Sequence, residues 1–131
     1  MPVKISIITP TYNEEDNVET CYTTIRDIFD TDLKQYELEY IFTDNCSTDG
    51  TARELRRLAE QDPRVKLIFN SRNYGVLRSN FNALTRATGD AVLVALPADL
   101  QDPPELLPEF VDKWRQGFEV VYGIRQTGPN P

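Results

Sequence analysis

Val3-Lys4-Ile5-Ser6-Ile7-Ile8-Thr9, followed at once by Pro10-Thr11-Tyr12-Asn13-Glu14, is the stretch that decides the fold. The first part is β-branched and apolar on both of its alternating faces, the pattern of a central strand in a parallel sheet covered on both sides. The second part is abruptly polar. The same switch recurs after three more apolar runs, at Asp44-Asn45-Cys46-Ser47-Thr48-Asp49-Gly50, at Asn73-Tyr74-Gly75 and at Pro97-Ala98-Asp99-Leu100-Gln101-Asp102. In an open parallel α/β sheet all strand carboxyl ends face one edge, and ligands bind in the crevice there. Four loops rich in carboxylates and amides, with no histidine in the chain, point to a phosphorylated ligand and a hard cation.

Between these loops the pattern is helical. Val18, Cys21, Tyr22, Ile25, Ile28 and Phe29 keep helical spacing behind Asn13, which is placed to cap that helix. A second strand is expected over Leu38–Thr43. A helix follows over Thr51–Gln61, with Ala52, Leu55, Leu58 and Ala59 inward, and Asp62-Pro63 ends it. Val65–Phe69 reads as the third strand. Gly75 opens a third helix running to about Thr88, with Leu77, Phe81 and Leu84 on its buried side and Gly89 as its stop. Ala91–Leu96 is the fourth strand. Asp102-Pro103-Pro104-Glu105 is a helix start, with Leu106, Leu107, Phe110, Val111 and Trp114 inward as far as Gly117, and Glu119–Gly123 is a fifth strand. The alternation gives an α/β fold with a mainly parallel sheet flanked by helices. Residues 1–131 form a single domain, expected to be cut short at its C-terminal end because no element closes Gln126–Pro131.

Composition narrows the partners. The net charge is −7, and the basic residues are scattered apart from Arg56 and Arg57, which argues against a nucleic-acid surface. Cys21 and Cys46 form no CxxC pair, and without histidine a zinc site lacks ligands. Cys21 is expected to be a buried free thiol in a reducing, cytoplasmic compartment. Neither a signal peptide nor an apolar run long enough to span a bilayer is evident.

Taken together, ISIITPTYNEEDNV, FTDNCSTDGT, NYGVLRSNFNALTRATGD and PADLQDPPELLPEFVDKW closely resemble the family 2 glycosyltransferases. The resemblance is to the branch of dolichol-phosphate mannose synthases and bacterial polyisoprenyl-phosphate sugar transferases. It runs from about Ile5 to Arg125 and implies the Rossmann-like GT-A fold of nucleotide-diphospho-sugar transferases, of which this chain is the N-terminal, nucleotide-sugar-binding part. It also implies a nucleotide-diphosphate sugar donor, a magnesium or manganese cofactor, and a lipid-phosphate or saccharide acceptor used in making cell-envelope polysaccharide. The full-length protein is then expected at the cytoplasmic face of a membrane. By the same resemblance the catalytic base lies beyond residue 131, so these residues are expected to bind without turning over.

Residue by residue, the resemblance lays Pro10, Tyr12, Asn13 and Glu14 along the base and ribose. Tyr12 offers an aromatic face, and Asn13 and Glu14 offer hydrogen bonds unless they serve only the first helical turn. Asp44 matches the first aspartate of the family's two-aspartate turn, and Asn45 replaces the second, an acceptor-and-donor amide in place of an acceptor. Ser47, Thr48 and Asp49 read as caps of the next helix. Gly75 allows close backbone approach at a helix N-terminus. Arg78, one turn in, is either a phosphate partner or a surface arginine. The family's metal motif is normally Asp-Ala-Asp-Leu-Gln-Asp. Here its first position is Pro97, which leaves Ala98 beside the nucleotide and Asp99 and Gln101 as metal ligands, with Asp102 read as a helix cap. The gaps at Asn45 and Pro97 raise the alternative of a nucleotide-binding module that does not catalyse. A receiver-like domain is excluded by the lack of paired aspartates after the first strand. A Rossmann dehydrogenase is excluded by the lack of G-x-G-x-x-G there.

Overall fold

In the computed structural model, which describes residues 2–94, 96–100 and 104–119, four strands form one sheet. They are β1 (Lys4–Thr11), β2 (Glu37–Asp44), β3 (Val65–Phe69) and β4 (Ala91–Leu93), in the order β3-β2-β1-β4 with every neighbouring pair parallel. Ile5 lies opposite Leu38, Ile7 opposite Tyr40 and Thr11 opposite Asp44. β1 and β2 are therefore central, and both read as near-continuous apolar runs because helices cover both their faces.

One face of the sheet carries Ile5, Ile7, Leu38, Tyr40 and Phe42. It packs against α1 (Val18–Asp30), α2 (Thr51–Gln61) and α4 (Leu107–Arg115), the last preceded by a 3₁₀ turn at Pro104–Leu106. Tyr40 and Phe42 stack with ring centroids 4.2 Å apart. The fully buried Tyr40 hydroxyl pairs with Thr9 Oγ1 at 2.8 Å and Cys21 Sγ at 3.1 Å, so this buried phenol keeps its hydrogen bonds. The other face, with Ile8 and Ile41, is covered by α3 (Gly75–Arg86) through Ala83. Glu39 on that face is buried but accepts from Ser6 Oγ at 2.7 Å, Thr88 N at 2.8 Å and Thr88 Oγ1 at 2.8 Å. Burial pushes its carboxyl up, but these donors and Lys4 outweigh that and hold it below the usual range.

The first strand is longer than the sequence pattern predicts, because Pro10 and Thr11 still pair with β2. Four expectations are corrected. Asn13 does not cap α1, which begins five residues later behind Asn17, with no side-chain cap bond. α3 ends at Arg86, not at Thr88, so Gly89 is not its stop; Gly89 instead packs against β1. Leu77, Phe81 and Leu84 are not on the buried side of α3, which is formed by Ser79, Asn80 and Ala83. In α4 the inward residues are Leu107 and Val111 with Trp114 against the core, whereas Leu106 is exposed. The fourth strand is described only over Ala91–Leu93; the cap at Asp102, the fifth strand beyond Glu119 and the tail lie outside the described residues.

Candidate functional site

Because all four strands are parallel, the loops that follow them open on one edge of the sheet. Backbone strain gathers there too. Among the described non-glycine residues, left-handed φ values occur at Asn13 (54°), Cys46 (61°) and Leu100 (56°), in the loops after β1, β2 and β4, and Gly75 (83°) opens the element after β3. Asn accepts this region readily, but Cys and Leu do so at a cost on the order of 1 kcal/mol. Such strain persists only where surrounding bonds fix it.

Those bonds are built from the residues singled out above. The Asp44 side chain, 2% exposed, accepts from Thr11 Oγ1 at 2.7 Å, Ser47 Oγ at 2.6 Å and Ser47 N at 3.0 Å. Asn13 Oδ1 accepts from Thr48 N at 2.8 Å and Asp49 N at 3.3 Å, while its own N–H donates to Ser47 Oγ at 2.9 Å. Asn13 thus binds the approach to α2 instead of the start of α1. Glu14 N donates to Thr51 Oγ1 at 2.8 Å, and the Glu14 carboxylate accepts from Asn17 Nδ2 at 2.7 Å. Asp49 takes the Thr51 N–H at 2.9 Å, satisfying an orphan donor at the start of α2. Burial pushes the Asp49 carboxyl up, but the Thr51 hydroxyl and backbone N–H groups outweigh it and lower it. The first two loops are therefore one hydrogen-bonded unit.

Asn45 is turned the other way. Its Oδ1 accepts from Asn70 Nδ2 at 3.0 Å, and Asn70 also donates to Thr43 Oγ1 and Ser79 Oγ, each at 3.2 Å. This amide thus couples the loop after β2 to the loop after β3 and to α3. The fourth loop joins through Leu96 N, which donates to Ile8 O at 2.9 Å, and Leu100 N, which closes a turn on Pro97 O at 3.1 Å. Ala98 is buried and Asp99 is exposed. Asp99 and Glu14 both act on Cys21 beneath them. Its thiol is pushed up mainly by burial and further by these two carboxylates, against lowering bonds with Tyr40 and Thr9.

Pro10, Tyr12, Asn13, Glu14, Asp44, Ala98 and Asp99 are thus brought to one edge around the ends of β1, β2 and β4. Tyr12 is 45% exposed there. Gly75 and Arg78 lie at the β3 end, where Arg78, Asn82 and Arg86 line an open groove of about 490 Å³ with Asn70, Ser71 and Tyr74. Gln101 lies outside the described residues. Among the described residues no three carboxylate, thiol or imidazole groups converge as a preformed metal cage. No described helix is long and apolar enough to cross a membrane. Ser47, expected to cap α2, instead bonds Asp44 and Asn13, and the N-cap position of α2 is Gly50. Thr11 and Asn70 are the residues that the motif reading did not select. Strand alternation, which puts Thr11 on the same face as Asp44, is the signal that finds the first of them.

The sequence matches the glycosyl transferase family 2 description over residues 6–130. It is 40% identical over 123 residues to YkcC, an uncharacterized glycosyltransferase of Bacillus subtilis, covering 94% of this chain and 37% of the relative. It is 37% identical over 123 residues to a prophage bactoprenol glucosyl transferase homolog of Escherichia coli, covering 94% of this chain and 39% of that one. Among solved structures it superposes on the mannosyltransferase PcManGT of Pyrobaculum calidifontis, in complex with GDP-Man and Mn2+, with a TM-score of 0.68 and 33% identity. That match covers 82% of this chain and 31% of the other. The chain spans about two fifths of the length of the curated relatives it matches.

Proposed function

Because this chain belongs to glycosyl transferase family 2, with the GT-A fold, we propose that it supplies the donor half of a sugar transfer from a nucleoside-diphosphate sugar to a polyisoprenyl phosphate at the cytoplasmic face of a membrane. The observation that carries this reading is the convergence of the Tyr12, Asp44 and Asp99 loops on one sheet edge, with the first two bonded into a single unit. Tyr12 stacks on the base. Asp44, with three of its roughly four acceptor positions filled by the protein, holds the pocket floor and keeps one position for a base N–H. The bactoprenol name of one relative and the GDP-Man and Mn2+ of one structural neighbour support the acceptor and donor classes.

The residues present fit a divalent ion assembled with its substrate. Asp99 is one exposed carboxylate and Pro97 contributes no side-chain oxygen. Magnesium and manganese are commonly held by one or two carboxylates plus phosphate oxygens and water. When bound, the ion neutralises charge that develops on the departing diphosphate. Asp99 would hold it, with Gln101 as the second oxygen ligand. A lipid phosphate already carries a nucleophilic oxygen. Transfer therefore breaks the sugar's anomeric C–O bond to the diphosphate, forms one to the lipid phosphate, and needs no proton removed from the acceptor.

The test is a thermal-shift series with UDP and GDP, each with and without manganese. A nucleotide should raise Tm, manganese should raise it further, and Asp99→Ala should remove only the manganese increment. No shift with any nucleotide, or an increment that survives Asp99→Ala, would reject the assignment.

A further inference from the structure

α3 differs from the other three helices in where its apolar residues point. In α1, α2 and α4 they face the sheet. In α3, Leu77 is 87% exposed, Phe81 68% and Val76 57%, with Leu84 also exposed. Leu77, Phe81 and Leu84 follow i, i+4, i+7 spacing and so form one stripe along the outer side. Arg78, Asn82 and Arg86 follow i, i+4, i+8 beside that stripe and line the groove toward β3. Apolar groups standing together on a surface mark an interaction site.

The charge around this stripe is as unusual as its exposure. From Pro63 to Gly89 the sequence contains Arg64, Lys66, Arg72, Arg78 and Arg86 and no acidic residue, in a chain whose net charge is −7. Lys66 is exposed, and strand alternation puts it on the same sheet face as Ile68 and α3. Arg64 is tied to Asp62 and Asp30 on the other side. Among the described residues none forms an ion pair with Lys66, Arg72, Arg78 or Arg86. The apolar stripe is thus flanked by cations that form no ion pair among the described residues, Arg72 lying over the Tyr74 ring. Such a helix matches the chemistry of an anionic bilayer surface, where the apolar groups enter the headgroup–acyl boundary and the cations meet lipid phosphates.

We infer that the α3 face docks on an anionic phospholipid surface, with Leu77, Phe81 and Leu84 inserted and Lys66, Arg72, Arg78 and Arg86 facing the headgroups. A second copy of the chain fits less well. A two-fold contact would set these arginines against their own equivalents, and like charges meeting across an interface are repulsive. This inference gives a surface to the membrane association proposed above, but it rests on exposure and charge alone, and its test contains no nucleotide.

The experiment is co-sedimentation of the 131-residue chain with phosphatidylcholine vesicles with and without phosphatidylglycerol. Binding should require the anionic lipid and weaken with salt. Leu77→Gln with Phe81→Gln should lower affinity by at least about tenfold. Lys66→Gln and Arg86→Gln should cost about fivefold each. Since Trp114 is the only tryptophan and packs on the opposite side of the sheet, brominated lipid should quench a Leu77→Trp variant and leave the parent protein's emission unchanged. Equal binding to neutral vesicles, binding retained in the double apolar variant, quenching of Trp114 in the parent, or self-association that the apolar variant abolishes would each overturn the proposal. Loss of the nucleotide shift with vesicle binding intact would count against the donor site alone.

Discussion

Asp44 gathers three donors from the end of β1 and the loop after β2, and its worth lies in that convergence. Thr11 and Ser47 hydroxyls both approach Oδ1, and the Ser47 N–H approaches Oδ2. Asp44→Asn keeps the shape but sets an NH2 group against a donor on one side or the other. Hydrogen bonds to a charged acceptor are worth about 1.5–3 kcal/mol each, and a mismatched buried one costs about as much. The ligand-free variant should therefore lose about 2 kcal/mol in urea unfolding, and an unchanged midpoint would show that the carboxylate does not organise the loops. Asp44 itself is legible in the sequence as a polar residue directly after an apolar strand. Its partner Thr11 is less so, because the pairing that puts the two side by side joins strands 33 positions apart. Asn45 is legible as a substitution in a motif. That its amide reaches back to Asn70 depends on β3 lying beside β2, which no local pattern states.

At the scale of elements, periodicity locates α1 and α2 and their inner faces correctly because both bury their apolar side on the sheet. It also locates α3 but inverts its faces. An apolar stripe shows which side of a helix seeks a nonpolar neighbour, not whether that neighbour belongs to the same sheet. Here the sheet side is instead built from Ser79, Asn80 and Ala83, small or polar residues that fit against a face holding Thr43, whose hydroxyl pairs with Ser79 at 2.7 Å. The turn from α3 into β4 depends on Gly89, for close approach and not for handedness. A Cβ there would lie 2.5 Å from Ser6 Oγ, 2.7 Å from Ser6 N and 2.9 Å from Ala91 O, and two of those atoms are backbone. The Gly89 N–H also donates to Ser6 Oγ at 2.9 Å. Gly89→Ala must push β1 and β4 apart, at a cost of about 1–3 kcal/mol by analogy with overpacked cores. Thermal unfolding should show a lowered midpoint; an unchanged one would mean that the turn relaxes freely.

Over the whole molecule, the two edges of the sheet have different work. The carboxyl edge carries the strained loops and the candidate site, while the opposite edge is clamped by Asp62. Its carboxylate takes Tyr22 Oη at 2.7 Å, Arg64 Nε at 2.9 Å and Arg64 Nη2 at 2.9 Å, and Arg64 continues to Asp30 at 3.1 Å. These bonds tie the end of α1 to the junction of α2 and β3. Burial pushes the Asp62 carboxyl up, but the Arg64 and Tyr22 donors outweigh it and bring it from 3.8 to about 2. Glu39 and Asp49 are lowered as well. A carboxyl whose folded pKa lies below its unfolded value stabilises the fold fully above the unfolded value. That contribution is lost as pH falls through the folded one, which for Asp62 is the window from about 4 to about 2. Its share is at most about 2 kcal/mol. The chain should hold its stability down to about pH 5 and then lose it steeply. Asp62→Asn should be less stable at pH 7 by up to that amount and lose less between pH 4 and pH 2, so that the two curves converge in acid. Urea midpoints measured across that range decide the matter: parallel curves would mean that the clamp contributes no pH-linked stability and that the acid sensitivity lies at Glu39 and Asp49.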